Sequence, residues 1–205
     1  MSAPVRSAAL RFAVAFASAL AAGSAASVQA FPSPGTRSVV RGCATANPGL
    51  GPNEGLAPGW HSPSTGAIVA GPITWPYLRL LAQHSGGLAP RHGLAPGVKA
   101  LIVVAAGAVV RVGIPANESA RLSLDYSNVP PRNARQNLFR VADGASRVTF
   151  KACASGQGPQ TEFAGGFLVA GAQCARIDIY TSVSNRPIRR QIAFGVPQRS
   201  CPADG

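Results

Sequence analysis

The segment VKALIVVAAGAVVRVGIP, residues 98–115, leaves the chain few options. Its apolar centre, Ala100 to Val110, covers 11 residues between Lys99 and Arg111. A helix that crosses a bilayer needs ~20. Its density of Val and Ile favours extended backbone, because β-branched side chains lose rotamer freedom in a helix and pack well on a pleated surface. Pro115 closes the segment, and Ala105-Ala106-Gly107 supplies a turn at its middle. Two strands are therefore expected, Val98–Val104 and Ala108–Ile114, folded as a β-hairpin at Ala105–Gly107.

Downstream the same grammar repeats. ANES, residues 116–119, reads as a turn into RLSLDYS, where Leu122, Leu124 and Tyr126 alternate with Arg121, Ser123 and Asp125. LFRV and SRVTFKAC flank the turn signal Ala142-Asp143-Gly144-Ala145. In the second of these, Val148 and Phe150 share one face while Arg147, Thr149 and Lys151 share the other. ARIDIYTSV and IRRQIAFGV complete the series. Upstream, AIVAGPITW and YLRLLAQ flank Pro76, which argues against one continuous helix and for further strands. About nine short strands spaced by roughly 8–12 residues indicate an all-β, antiparallel β-sandwich over residues 67–205.

The first 66 residues are different. Arg6 and Arg11 precede the apolar run Phe12–Ala22, and a small-residue site ends at Ala30, the three-part pattern of a secretory signal peptide over residues 1–30. Cleavage is expected after Ala30, with Ala26 as a second candidate. Residues 31–66 are rich in Gly, Pro, Ser and Asn and read as an irregular arm. GLAP recurs at residues 55–58, 87–90 and 93–96, at unequal spacing that marks low complexity rather than a structural repeat. The chain has 19 basic and seven acidic residues. Losing the leader removes two basic residues and no acidic ones, so the mature chain stays strongly basic at +10. Such a surface favours anionic cell-envelope polymers or lipid headgroups as partners. The arginines are scattered along the sequence, without the aromatic interleaving of a nucleic-acid surface.

Four cysteines in an exported chain imply two disulfides. Cys153 ends the strand SRVTFKA, and Cys174 opens the strand that includes Ile177, Ile179 and Tyr180. The expected pairing is Cys153 with Cys174, a closed loop of about 20 residues worth ~3 kcal/mol. Cys43 would then pair with Cys201, tying the arm to the C-terminal tail.

The stretches GVKALIVVAAGAVVRVGIP, ADGASRVTFKAC, EFAGGFLVAGAQCARIDI and FGVPQRSC resemble small exported proteins of high-GC Gram-positive bacteria, a group without an assigned activity. The resemblance covers about Ala67 to Cys201. It implies an immunoglobulin-like β-sandwich behind a signal peptide, and it carries over no catalytic or binding residue.

Enzymatic chemistry finds little support in the residues. QHSGG places Ser85 beside His84, but Gln83 stands where a nucleophile elbow has glycine, and no helix pattern follows. A secreted serine hydrolase using Ser85 with a histidine is the alternative function; the distant candidates, His61 and His92, lie in Pro/Gly-rich stretches. The three histidines lack zinc-site spacing, and Met1, the sole methionine, leaves with the leader, so no blue-copper set remains. The carboxylates Glu54, Glu118, Asp125, Asp143, Glu162, Asp178 and Asp204 read as turn or outward-facing surface groups rather than a glycosidase pair. Asn117-Glu118-Ser119 matches a glycosylation acceptor, which a bacterial leader makes irrelevant. Trp60, Trp75 and Tyr77 could line a carbohydrate face; Trp75 is read as core. The expectation is an exported, non-enzymatic binding or structural module of the cell envelope, with no cofactor and no metal.

Overall fold

The computed structural model describes residues 37–47, 66–84, 97–127 and 140–203. The leader, with both of its cleavage sites, lies outside these residues, as do Trp60, His61, Ser85, His92, Glu54 and Asp204.

The fold is all-β with one short helix among the described residues. The largest sheet has the order β1 (Ser38–Arg41), β8 (Arg147–Lys151), β6 (Val109–Gly113), β11 (Gln173–Thr181), β12 (Ser184–Phe194). A four-stranded sheet joins β2 (Ile68–Ala70), β3 (Ile73–Trp75), β5 (Ile102–Ala105) and β9 (Gln160–Phe163). A three-stranded sheet places β10 (Gly166–Val169) between β4 (Gly97–Lys99) and β7 (Leu122–Leu124). Every pairing is antiparallel except β1 with β8. The inward residues of all three sheets form one apolar cluster, including Trp75, Leu124, Phe150, Phe163, Phe167 and Phe194.

A hydrogen-bonded chain runs through that cluster. Buried Trp75 donates from Nε1 to the Tyr126 hydroxyl at 3.0 Å, and the hydroxyl donates to the Ala100 carbonyl at 2.6 Å. Burial pushes the Tyr126 phenol well above its ordinary pKa. The Tyr126 ring meets Phe150 and Phe167 edge-on, at centroid separations of 5.2 and 6.3 Å. Trp75 is thus core, as read from the sequence, while Tyr77 is partly exposed.

The strands of 98–115 form, but not as a hairpin. The expected first strand breaks at Ala100, whose N–H donates to the Gly165 carbonyl. Its two pieces, β4 and β5, join different sheets, and β6 joins a third. The turn at Ala105–Gly107, with Gly107 at φ 71°, carries the chain from the four-stranded sheet to the five-stranded one. The physical reason is burial on both faces: Ile102, Val103 and Val104 are all buried. A two-stranded hairpin with a solvated face would expose Val103.

The double glycine at 165–166 has a packing cause. A Cβ on Gly165 would collide with the Tyr126 ring, and one on Gly166 with the Val98 carbonyl. Gly166 lets the backbone of β10 approach β4, and Gly165 lets the segment before it pass the Tyr126 ring.

Three further expectations are corrected. YLRLLAQ is not a strand: Leu78–His84 is a helix, α1. Pro76 ends β3's run without preventing a helix that starts after it, and Leu78 and Ala82, four apart, share the buried side. In LFRV, the described residues Arg140 and Val141 lead into a 3₁₀ turn, Val141–Asp143, where the Asp143 carboxylate accepts the Arg140 N–H at 2.8 Å. The arm of 31–66 is not wholly irregular, because Ser38–Arg41 adds a parallel strand to the edge of the largest sheet.

The disulfides form between all four cysteines, but Cys43 pairs with Cys153 and Cys174 with Cys201. Sheet order explains the failure of the Cys153–Cys174 pairing. Strands β8 and β11 run parallel to one another on either side of β6, so Cys153, just past the end of β8, lies toward the end of β11. Cys174 is at the start of β11, ~33 Å of strand away. Meanwhile β1 runs alongside β8, which delivers Cys43 to Cys153 with Cα atoms 4.8 Å apart. The chain leaving β12 turns back through Gln198–Ser200 and brings Cys201 within 5.4 Å of Cys174.

Candidate functional site

The outward face of the five-stranded sheet gathers charge that the sequence disperses. Residues opposite one another in a ladder share a face, so the register fixes what lies there. One row runs Arg147, Gly113, Asp178, Arg189 across β8, β6, β11 and β12. The next runs Thr149, Arg111, Tyr180. Lys151 faces out beside Val109, and Arg176 beside Gln191. Among the described residues, Arg111, Arg147, Lys151, Arg176 and Arg189 thus share this face with a single carboxylate, Asp178. At one end the face is closed, where the Cys174–Cys201 bridge holds the C-terminal segment over Ala193.

Tyr180 divides the open part. The Arg111 guanidinium lies over its ring, 4.4 Å from the centroid, which fixes both side chains. On one side is a cleft of about 520 Å³ over Gly113, lined by Asn117, Arg147, Arg176, Asp178 and Tyr180. On the other is one of about 270 Å³ beside the β11–β12 turn, lined by Thr149, Thr181, Ser184 and Asn185 as well as Tyr180.

Asp178 is not the solvated surface carboxylate that its outward position suggests. Its Oδ1 lies 3.9 Å from Arg176 Nε and 3.8 Å from Arg189 Nε, ion-pair distances too long for hydrogen bonds. Both Asp178 Oδ1 and Arg176 Nε are buried and make no hydrogen bond within the described residues. Such atoms are uncommon in folded proteins, where strain or a bound water or ion usually accounts for them. Among the other carboxylates, Asp125 is partly buried, which raises its pKa above the ordinary value, and Glu162 is buried in β9. Glu118 sits in the 116–119 turn, as expected, and Asp143 caps its 3₁₀ turn.

Of the serine-hydrolase set, His84 alone is described. It ends α1, with Nδ1 2.7 Å from the Leu80 carbonyl oxygen. Among the described residues, no carboxylate lines the neighbouring cleft formed with residues 195–199. Among the described residues no group of three His, Cys, Asp or Glu side chains is placed to hold a metal ion. No described helix is long and apolar enough to cross a membrane.

Along the chain the arginines are dispersed, and only Arg189 and Arg190 adjoin, so composition alone does not reveal the basic face. The usable signal was alternation: each of these strands sends its charged residues to the side opposite its apolar ones. Arg190, opposite inward-facing Ile177, instead reaches from the sheet edge to the Val69 carbonyl at 3.1 Å.

No family model, curated protein or solved structure matches the chain.

Proposed function

We propose that this chain is an exported, non-enzymatic binding module with an immunoglobulin-like β-sandwich architecture, which associates with anionic polymers of the cell envelope. The observation that carries the reading is the outward sheet face, where five cations share the described surface with one carboxylate and two clefts flank the Arg111–Tyr180 pair. Fixed cations on a rigid sheet raise the local concentration of a polyanion and can engage several of its charges at once. The disulfides fit an oxidising compartment, in line with the leader pattern.

The test is retention of purified protein on an immobilised acidic polysaccharide and on a neutral dextran, at about 0.05 M and about 0.5 M salt. Retention is expected on the acidic matrix only. It should persist in part at the higher salt and fall in an Arg111→Gln, Arg147→Gln, Arg176→Gln variant. Equal retention on dextran, or a variant held as well as the native protein, would contradict the proposal.

A further inference from the structure

We infer that the cleft over Gly113 is a subsite for one acidic sugar unit, a pyranose bearing a carboxylate or phosphate, within such a polymer; this deepens the binding reading above and rests on it. The first support is the glycine itself. Gly113 lies in β6, the central strand, with Arg147 and Asp178 as its outward neighbours. It is also the last residue of β6, where glycine costs less than the roughly 0.5–1 kcal/mol, relative to alanine, of a strand interior. Neither backbone nor packing demands it. Its φ is not in the left-handed region, and a Cβ would make ordinary contacts, 3.9 Å from both Tyr180 Cε2 and the Asp178 carbonyl oxygen. What the missing side chain provides is the floor of the cleft, an arrangement expected where a ligand approaches the backbone.

The second support is the chemistry of the walls. Arg147 and Arg176 supply positive charge for a carboxylate or phosphate, and Arg can bind either in a forked geometry. Asp178 Oδ1 can only accept, and Arg176 Nε can only donate. Both are buried without a hydrogen bond. Both atoms are closed to solvent, so a ligand meets these side chains through the parts that stay exposed, 40% of Arg176 and 16% of Asp178. A sugar hydroxyl donates and accepts at once and suits both, where a bare anion suits only the arginine. Asn117 adds an amide at the same rim. Tyr180, held by Arg111, offers an apolar wall beside the space for the C–H face of a pyranose ring.

Competing ligands fit less well. A peptide bound as an added strand needs a free sheet edge, and β6 is hydrogen-bonded to β8 and β11 on its two sides. A bilayer surface cannot enter a recess between Tyr180 and the 114–117 segment.

The test is a calorimetric titration of the full-length protein with digalacturonate, beside the neutral disaccharide cellobiose, anionic phospholipid vesicles and a single-stranded oligonucleotide. Gly113→Leu fills the cleft and leaves all five cations in place. It should bind digalacturonate at least tenfold more weakly, while its retention on a long acidic polymer changes less than twofold. Tyr180→Ser, an outward substitution, should weaken digalacturonate in the same way, and thermal melts of both variants verify folding. If folded Gly113→Leu and Tyr180→Ser both bind digalacturonate as native protein does, the subsite is refuted and the basic-face reading stands. If native protein binds vesicles or oligonucleotide but no digalacturonate, the sugar assignment is refuted. If native protein is retained by no acidic polymer, the binding reading itself fails.

Discussion

Arg41 and Arg176 belong to opposite faces of the same sheet. Arg41 ends β1 on the inward side, 5% exposed. Its guanidinium donates to the carbonyls of Tyr126 (2.8 Å), Ala164 (3.2 Å) and Thr45 (2.6 Å), and its Nε donates to Thr45 Oγ1 (3.2 Å). The charge also lies 5.5 Å from the Phe163 ring centroid. Arg176, on the outward side, has a side chain 40% exposed, a buried Nε without a hydrogen bond and one long ion pair. An arginine whose donors meet several carbonyls belongs to the architecture, because burial of a charge is tolerated only when it is fully bonded. An arginine held at arm's length from its carboxylate is left with bonding capacity for something else.

The largest effect should come from the bridge that fixes the inward arginine. Cys43–Cys153 closes a separation of 110 residues and Cys174–Cys201 one of 27. Chain entropy assigns these about 5 and about 3.5 kcal/mol. Replacing Cys43 and Cys153 with serine should therefore cost more in urea denaturation than the same change at Cys174 and Cys201. It should also speed amide exchange in β1. An equal cost for the two bridges, with β1 still protected, would mean that Arg41 alone holds the strand.

Arg41→Met comes next. The methionine keeps apolar bulk over Phe163 but leaves the Tyr126, Ala164 and Thr45 carbonyls without their donor, at a cost of about 3 kcal/mol. Arg41→Lys should recover less than half of that, since an ammonium cannot reproduce the fork. Full recovery by lysine would show that charge, not geometry, matters there. Tyr126→Phe should cost about 2 kcal/mol by unfolding, because it strands the Trp75 Nε1–H and the Ala100 carbonyl in the core. A loss below about 0.5 kcal/mol would show that the core polar chain is incidental.

The inward face was legible in advance and the outward one was not, for one physical reason. Alternation within a single strand says which residues face the core, so Val148, Phe150, Leu122, Leu124 and Tyr126 were placed correctly, and all are buried. It says nothing about which strand lies next to which. The hairpin at Ala105–Gly107 and the Cys153–Cys174 pairing both assumed that neighbours in sequence are neighbours in a sheet. The chain instead changes sheets after Ala105, after Phe163 and after Val169. The parallel strand β1, 106 residues and more from its partner, had no local signature beyond four residues of SVVR. Arg111, Arg147, Lys151, Arg176 and Arg189 could be called scattered only until sheet order brought them together.

The smallest effect, and the sharpest contrast with Arg41, is expected at Arg176 itself. Arg176→Gln removes a guanidinium whose Nε makes no hydrogen bond among the described residues and whose ion pair is 3.9 Å long, on a side chain 40% exposed. Pairs of that kind contribute about 0–1 kcal/mol, and Arg189 remains near Asp178 after the change. Stability by urea denaturation should shift by less than about 0.5 kcal/mol in either direction. Retention on an acidic polysaccharide should fall in the same variant. A destabilisation above about 1 kcal/mol with retention intact would reverse the contrast. It would place Arg176 with Arg41 among the arginines that hold the fold, and leave the outward face without its main claim to be a site.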